Sequence, residues 1–579
     1  MARSSEGTEG HRDRVLLTRR QLLARAAMAA GGLVATGLLQ ACGGGDQAPA
    51  SKPASGAATA APGAAGGPQK GGQIIVGISQ EPQNFNPIMP YIETQRGIHM
   101  SLFDTLWRID PKGQYVMDLA TELPTIANGG ISADGTAYTV KLRKDAKWHD
   151  GQNFTASDVV FTWKTLINPK VTAYSTVGYD QIATMEAPDD YTVKFKLKQP
   201  YAPILTTMAD MFVAPEHILS KSEDINKDPF NTKKPIGTGP FKFVEWVAGD
   251  HITLEANKSY HGPGPYVDRL IFKYISDLTV LFTQFKTGEI DVTGLQGIPV
   301  DLYPDAKSLP NIKLFVTPTT TYETIAPNFL KPIFQDKRVR QALYHGMDKK
   351  PIIDKVFQGL VPEAESYVPP ESWAYNPKVK GAHKYDPEKA KQLLEEAGWK
   401  VGPDGIRVKD GQKLSFENGC TAGNKQREQM QQILQQQWKA IGVDVKINNK
   451  PAAVLLGDFY RLSQFETIIN GIAMGPDPDH SFRLHSKYIP AKGGMGRNSI
   501  AFENPQADKL MDDGVREVDQ AKRKEIYGKL QELLVDELPY IPIYQYVVVR
   551  ATKGNIEGYQ PNPNAVDFSW NTNEWWIKK

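Results

Sequence analysis

Residues Ile131 to Leu166 read ISADGTAYTVKLRKDAKWHDGQNFTASDVVFTWKTL. Asp134-Gly135 is a turn dipeptide. Beyond it Tyr138, Val140 and Leu142 alternate with Thr139, Lys141 and Arg143, the period of a strand with one buried face. Asp150-Gly151 marks a second turn. Thr155 stands three residues before Asp158, the spacing of a capping box, and Val159, Trp163 and Leu166 fall on one helical face. The stretch therefore predicts strand, turn and capped helix.

Working outward, Gln73 to Ile78 reads as a buried strand and Ser79 to Pro87 as a loop punctuated by proline. Thr94 to Leu106 predicts a helix ending at Trp107, and Tyr191 to Leu197 a further strand after the turn Pro188-Asp189-Asp190. Leu278 to Lys286 reads as a helix stopped by Gly288. In the next segment Ile290 and Val292 face inward, which leaves Glu289 and Asp291 on a solvated face rather than as an acid/base pair. Farther on, Val339, Leu343 and Met347 share a helical face, and Asp386-Pro387 caps a helix that Gly398 ends. Gln429 to Ala440 is helical before the strand carrying Val443, Val445 and Ile447. Asp508 to Val535 predicts one long amphipathic helix, and Tyr540 to Tyr544 a returning strand. Helices alternating with strands make this an α/β chain.

At 579 residues the chain exceeds a single ordinary core. Its 40% hydrophobic and 23% charged content is that of a soluble globular protein. Residues 1–41 carry six Arg and three acidic residues, and the remainder holds 61 basic against 62 acidic side chains, so no basic footprint for nucleic acid remains.

Residues 1–41 read as a signal peptide. Thr18-Arg19-Arg20-Gln21-Leu22-Leu23 resembles a twin-arginine export motif, with Leu22-Leu23 where that pattern more often has Phe-Leu. The apolar run from Ala26 to Leu39 is shorter than the ~20 residues of a membrane span. Leu39-Gln40-Ala41-Cys42 resembles a lipobox, which implies a lipid on Cys42 and leaves Cys420 without a disulfide partner. Residues 42–71 then form a Gly-, Ala-, Pro- and Ser-rich linker that cannot bury enough surface to order itself. About thirty such residues give a root-mean-square reach near 30 Å.

The order D-G-T-x-Y-T-V-K-L-R-K-D-A-K-W-H-D-G followed by F-T-A-S-D-V-V-F-T-W resembles the extracytoplasmic solute-binding proteins of ABC importers, specifically family 5, which includes peptide- and nickel-binding members. Gly237-Thr238-Gly239-Pro240-Phe241, Phe103-Asp104-Thr105-Leu106 and the segment from Phe334 to Leu343 are similar to the same family. Gly237 to Gly239 is no phosphate loop, because Pro240 and a strand follow where a helix N-terminus would be required.

The resemblance implies a large two-lobed binding-protein fold with mixed sheets, an extra subdomain in the first lobe, and the ligand between the lobes. It implies a first lobe from 72–112, 232–327 and 541–579, an extra subdomain at 113–231, and a second lobe at 328–540. By the same resemblance the ligand contacts are Phe85 and Asn86 in the first loop, Tyr322 at the crossover, and Asn470, Met474 and Asp477 at a strand end. In peptide-binding members an acid a few positions before Asp-Pro-Asp anchors the peptide amine. Asp477-Pro478-Asp479 places Met474 at that position instead.

No G-x-x-x-x-G-K-[ST], H-E-x-x-H, G-x-S-x-G or C-x-x-C occurs. His480 and His485 beside Asp477 and Asp479 fit no familiar metal spacing. Neither cofactor, metal nor catalytic residue is expected. The implied protein is a lipid-anchored, extracytoplasmic, monomeric capture subunit that closes on a peptide or similar solute and docks on a membrane permease. A non-peptide solute such as an oligosaccharide is the alternative, followed by a ligand-presenting sensor subunit and a secreted hydrolase.

Overall fold

The computed structural model describes residues 67–564 and 568–579. Arg19, Arg20, Cys42 and most of the linker lie outside the described residues.

Strand β1 (Gln73–Ile78) leads through the proline-punctuated loop to helix α1 (Glu93–Leu102). The helix is shorter than its pattern predicts. Phe103 turns extended, its N–H still bonded to the His99 carbonyl, and Asp104 and Thr105 leave the helix to meet partners around Asp118. A short hairpin, Trp107–Ile109 with Tyr115–Met117, follows.

The 131–166 stretch then forms β2 (Ala137–Lys141) and α2 (Ala156–Leu166), with both bonds of the Thr155/Asp158 capping box made. Tyr138, Val140 and Leu142 are buried, as the alternation requires. With β3 (Ile182–Asp189) and β4 (Thr192–Leu197) the strand β2 forms a separate antiparallel sheet, ordered β2-β4-β3.

The chain then lays down β5 (Phe241–Val247), β6 (His251–Ala256), β7 (Arg269–Tyr274), α3 (Leu278–Thr287) and β8 (Val292–Thr293). Gly288 closes α3 in the left-handed conformation at φ 87°. Ile290 and Val292 are fully buried, while the Asp291 carboxylate accepts from the Ile75 N–H and pairs with Lys553 at 2.5 Å. Asp291 is thus a structural anchor, and only Glu289 is exposed.

The sixteen-residue strand β9 (Ile312–Pro327) carries the chain to a second set of helices and strands. These are α4 (Lys337–His345), α5 (Pro387–Glu396), β10 (Ser415–Gly419), α6 (Lys425–Lys439), β11 (Asp444–Ile447) and β12 (Thr467–Ala473). The predicted single helix from Asp508 to Val535 is two, α7 (Pro505–Arg516) and α8 (Gln520–Glu537). Asp519 breaks it, because its carboxylate accepts the Lys522 N–H and caps a new helix. The thirteen-residue β13 (Ile541–Lys553) returns the chain.

A ten-stranded mixed sheet runs in the order β11-β10-β12-β9-β13-β8-β1-β7-β6-β5. β9 and β13, antiparallel and central, join its two halves. The β9–β13 register breaks between Pro318 and Tyr322, a bulge that bends the pair. One buried core collects Ile74, Trp107, Val140, Trp163, Phe272 and Trp575; others hold Val339, Phe416 and Trp438, or Ile472, Met511 and Tyr527.

The Trp-His-Asp-Gly turn and the Gly-Thr-Gly-Pro segment, far apart in sequence, are clasped by His149. Its Nδ1 accepts the Gly237 N–H at 3.1 Å and its Nε2 meets the Gly239 carbonyl at 3.0 Å. These two bonds fix the neutral Nε2–H tautomer. Gly237 is obligatory there, since a Cβ would lie 1.8 Å from the Leu102 carbonyl oxygen.

Candidate functional site

A cavity of about 510 Å³ opens where α1, the β2-β4-β3 subdomain, the β9 bulge and the end of β12 converge. α1 and the loop before it supply Tyr91, Arg96 and Met100, and the subdomain supplies Tyr174, Tyr179, Tyr201 and Asp210. The bulge adds Thr320, the loop after β12 adds Ala473 to Asp477 and Asp479, and the C-terminal segment adds Trp570. The Ala202 N–H, next to the lining residues Tyr201 and Pro203, donates to the Val515 carbonyl at 2.7 Å and ties the subdomain to α7.

The wall is aromatic, and Arg96, Arg108 and Asp477 are each held in an ion pair. Arg96 meets Asp210 at 2.5 Å, donates to the Tyr91 hydroxyl at 3.2 Å and lies over the Tyr91 and Phe212 rings. Arg108 donates to Asp104 at 2.6 Å, to Asp118 at 2.8 Å and to the Trp570 carbonyl at 2.9 Å, all behind the wall. Asp477 takes two parallel bonds from Arg523, each 3.0 Å. Asp479 accepts from the Ser481 N–H and hydroxyl, and burial pushes its carboxyl above the usual range. Burial likewise raises Tyr91 and Tyr201, so these rings present neutral phenols. Such a surface stacks on and hydrogen-bonds a guest.

Of the residues expected at the ligand, Met474 and Asp477 line this cavity. Tyr322 and Asn470 lie on neighbouring strands just behind it: Tyr322 is buried opposite Ile472, and Asn470 accepts from the Thr324 hydroxyl at 3.4 Å. Phe85 and Asn86 are fully buried outside it. Phe85 packs on Phe243 and Trp246, and Asn86 donates to Asn231 at 2.8 Å. Sequence reasoning missed Tyr91, Arg96, Tyr174, Tyr201 and Asp210, because no periodicity or motif ties a loop tyrosine to a wall formed by another element. The four residues of the Asp/His cluster separate. Asp477 goes to Arg523, Asp479 to Ser481, and His485 to Asp508 and Asp512 at 3.3 and 3.5 Å, while the His480 ring nitrogen Nε2 is buried without a hydrogen-bond partner.

Residues 114–491 match the family described as bacterial extracellular solute-binding proteins, family 5 Middle. The chain belongs to that family. Among relatives of this family 5 protein is the oligopeptide-binding protein AppA of Bacillus subtilis, 34% identical over 525 residues that cover 89% of this chain and 93% of AppA. The structure of Bacillus subtilis AppA in complex with a nonapeptide superposes with a TM-score of 0.68 at 32% identity, covering 88% of this chain and 100% of that one. The structure of NikZ from Campylobacter jejuni in complex with Ni(L-His) gives 0.71 at 29% identity, covering 87% and 99%.

The fold of this family 5 protein is accordingly the two-lobed α/β binding-protein fold with an extra subdomain in the first lobe. The family is extracytoplasmic and binds solutes rather than transforming them. Among the described residues no helix is long and apolar enough to cross a membrane.

Proposed function

We propose that this protein is the solute-capturing subunit of an ABC importer, taking peptides or similar small solutes and handing them to a membrane permease. The cavity carries this reading. Its volume of about 510 Å³ falls in the range of small-molecule sites, and its walls come from both sides of the β9–β13 crossing, so a bound solute is held between parts that can move apart. The first lobe takes 72–112, 232–327 and 541–579, the extra subdomain 113–231 and the second lobe 328–540. Of the six residues expected to contact the solute, Met474 and Asp477 touch the guest, while Phe85, Asn86, Tyr322 and Asn470 act from behind, packed in the elements that carry the wall. The protein acts as a monomer held to the membrane by a lipid on Cys42 after twin-arginine export.

Peptide cargo follows the relative AppA, an oligopeptide-binding protein solved in complex with a nonapeptide. Met474 at the expected amine anchor and the tyrosine-lined wall support the second reading, a non-peptide solute such as an oligosaccharide. Thermal shift of the chain without its leader, against free-amine peptides, N-acetylated peptides and oligosaccharides, separates them. A rise with peptides is expected. A rise with sugars alone overturns the peptide reading, and a rise with neither class overturns both. Palmitate labelling in the host that is lost in Cys42→Ala tests the anchor.

A further inference from the structure

Behind the cavity, Asp104, Asp118 and His261 turn their side chains toward one point, with one ligand atom from each lying within 4.8 Å of the others. His261 Nε2 stands 3.8 Å from Asp104 Oδ2 and 3.6 Å from Asp118 Oδ1. These side chains are shut from solvent, at 0% exposure for Asp104, 8% for Asp118 and 1% for His261. Neither ring nitrogen of His261 has a hydrogen-bond partner, and Asp104 Oδ2 has none either. Buried polar atoms are seldom left so.

The distances discriminate between two explanations. A charge-assisted hydrogen bond would draw the imidazole to about 2.7–2.9 Å from a carboxylate. Ligand atoms about 2.0–2.2 Å from a shared tetrahedral ion stand about 3.3–3.6 Å from each other. The two His261–carboxylate spacings, 3.6 and 3.8 Å, fall nearer the second value. Arg108 binds both carboxylates and supplies one positive charge against their two, while Arg143 spends its donors on Asp145 and on the carbonyls of Asp118 and His261, so the point the three side chains share retains negative charge for a cation.

We infer that Asp104, Asp118 and His261 form a binding site for a divalent cation, with one nitrogen and two carboxylate oxygens suited to Zn²⁺ or Mn²⁺. The ion ties together three segments that are distant in sequence: the turn after α1, the strand end at Asp118 and the loop around His261. Arg108, which lines the cavity, orients both carboxylates from the opposite side. The partly exposed loop at 258–266 is the route by which the ion enters. The role is structural, at the back of the solute site, and is independent of the solute carried.

The test uses the whole chain without its leader, stripped with chelator and re-equilibrated with Zn²⁺ alone. Metal retained after gel filtration is measured by mass spectrometry, and melting temperature is followed with and without the ion. The expected result is about one Zn²⁺ per chain and a melting temperature raised by the ion. His261→Gln should weaken binding by more than the ~10–100-fold that outer-shell substitutions cost, while melting near wild type in chelator. His485→Gln, which alters the other Asp/His group, should retain the ion. The inference is overturned if wild type holds no more Zn²⁺ than His261→Gln, or if His485→Gln loses the ion instead. It is also overturned if wild type stays metal-free and nuclear magnetic resonance finds His261 carrying a proton on both nitrogens.

Discussion

Arg523 and Asp477, 46 residues apart, face each other in a two-bond fork of 3.0 and 3.0 Å between α8 and the loop after β12. The pair is nearly dry, with side-chain exposures of 7% and 13%, and the guanidinium lies over the rings of Trp373 and Tyr527. The acid that ends the cavity wall is therefore committed to holding the loop in place.

Arg523→Gln should destabilise the protein by about 3–5 kcal/mol, because it strands a carboxylate in a desolvated site. Asp477→Asn keeps the shape and one bond, so its cost should be smaller. Solute affinity should fall in both variants as the Ala473–Asp479 loop loosens. A double-mutant cycle in urea denaturation measures the coupling, and a coupling near zero would show that the fork contributes nothing.

Met474 lines the cavity and is 7% exposed, with no charge to offer an ammonium group. Met474→Asp should tighten binding of free-amine peptides by about tenfold, the scale of one hydrogen bond to a charged group. N-acetylated peptides should not gain. Calorimetric titration of matched peptide pairs gives the answer, and equal change for both would remove residue 474 from amine recognition.

His149 is neutral because burial lowers its imidazole from 6.5 to about 4, and its Nδ1 must stay unprotonated to accept the Gly237 N–H. The unfolded chain thus binds more protons than the folded one between pH 6.5 and about 4. Stability from this residue is complete above pH 6.5 and is lost as pH falls toward 4, on the order of 3 kcal/mol in all. Burial lowers His480 to about 4 and His99 to about 3, which adds slope of the same sign. His149→Gln can imitate both bonds without titrating, so its urea midpoint should fall less steeply with acid than wild type. Parallel pH profiles would contradict this.

What the sequence disclosed is what local chemistry controls. The alternation of Tyr138, Val140 and Leu142, the Thr155/Asp158 box and the Asp386-Pro387 cap are each realised where their patterns stand. Local pattern fails where a distant partner decides. α1 ends early because Asp104 is drawn to Arg108, and one predicted helix becomes two because Asp519 caps a new start. The cavity was the least legible part. Its wall pairs Arg96 with Asp210, and the loop behind it is held by Arg523, and neither partner can be identified without the topology. Even His149, inside the most telling stretch, gave no sign of its bond to Gly237, 88 residues on.

The placement of β13 between β9 and β8 sets the order in which this chain becomes a protein. A nascent or partly delivered chain that stops before Ile541 lacks the strand joining both halves of its largest sheet, and lacks Trp575 from its first core. The Ser101 hydroxyl likewise waits for Thr572, 471 residues later. Folding is therefore gated by completion, because a chain without β13 leaves the facing edges of β9 and β8 unpaired.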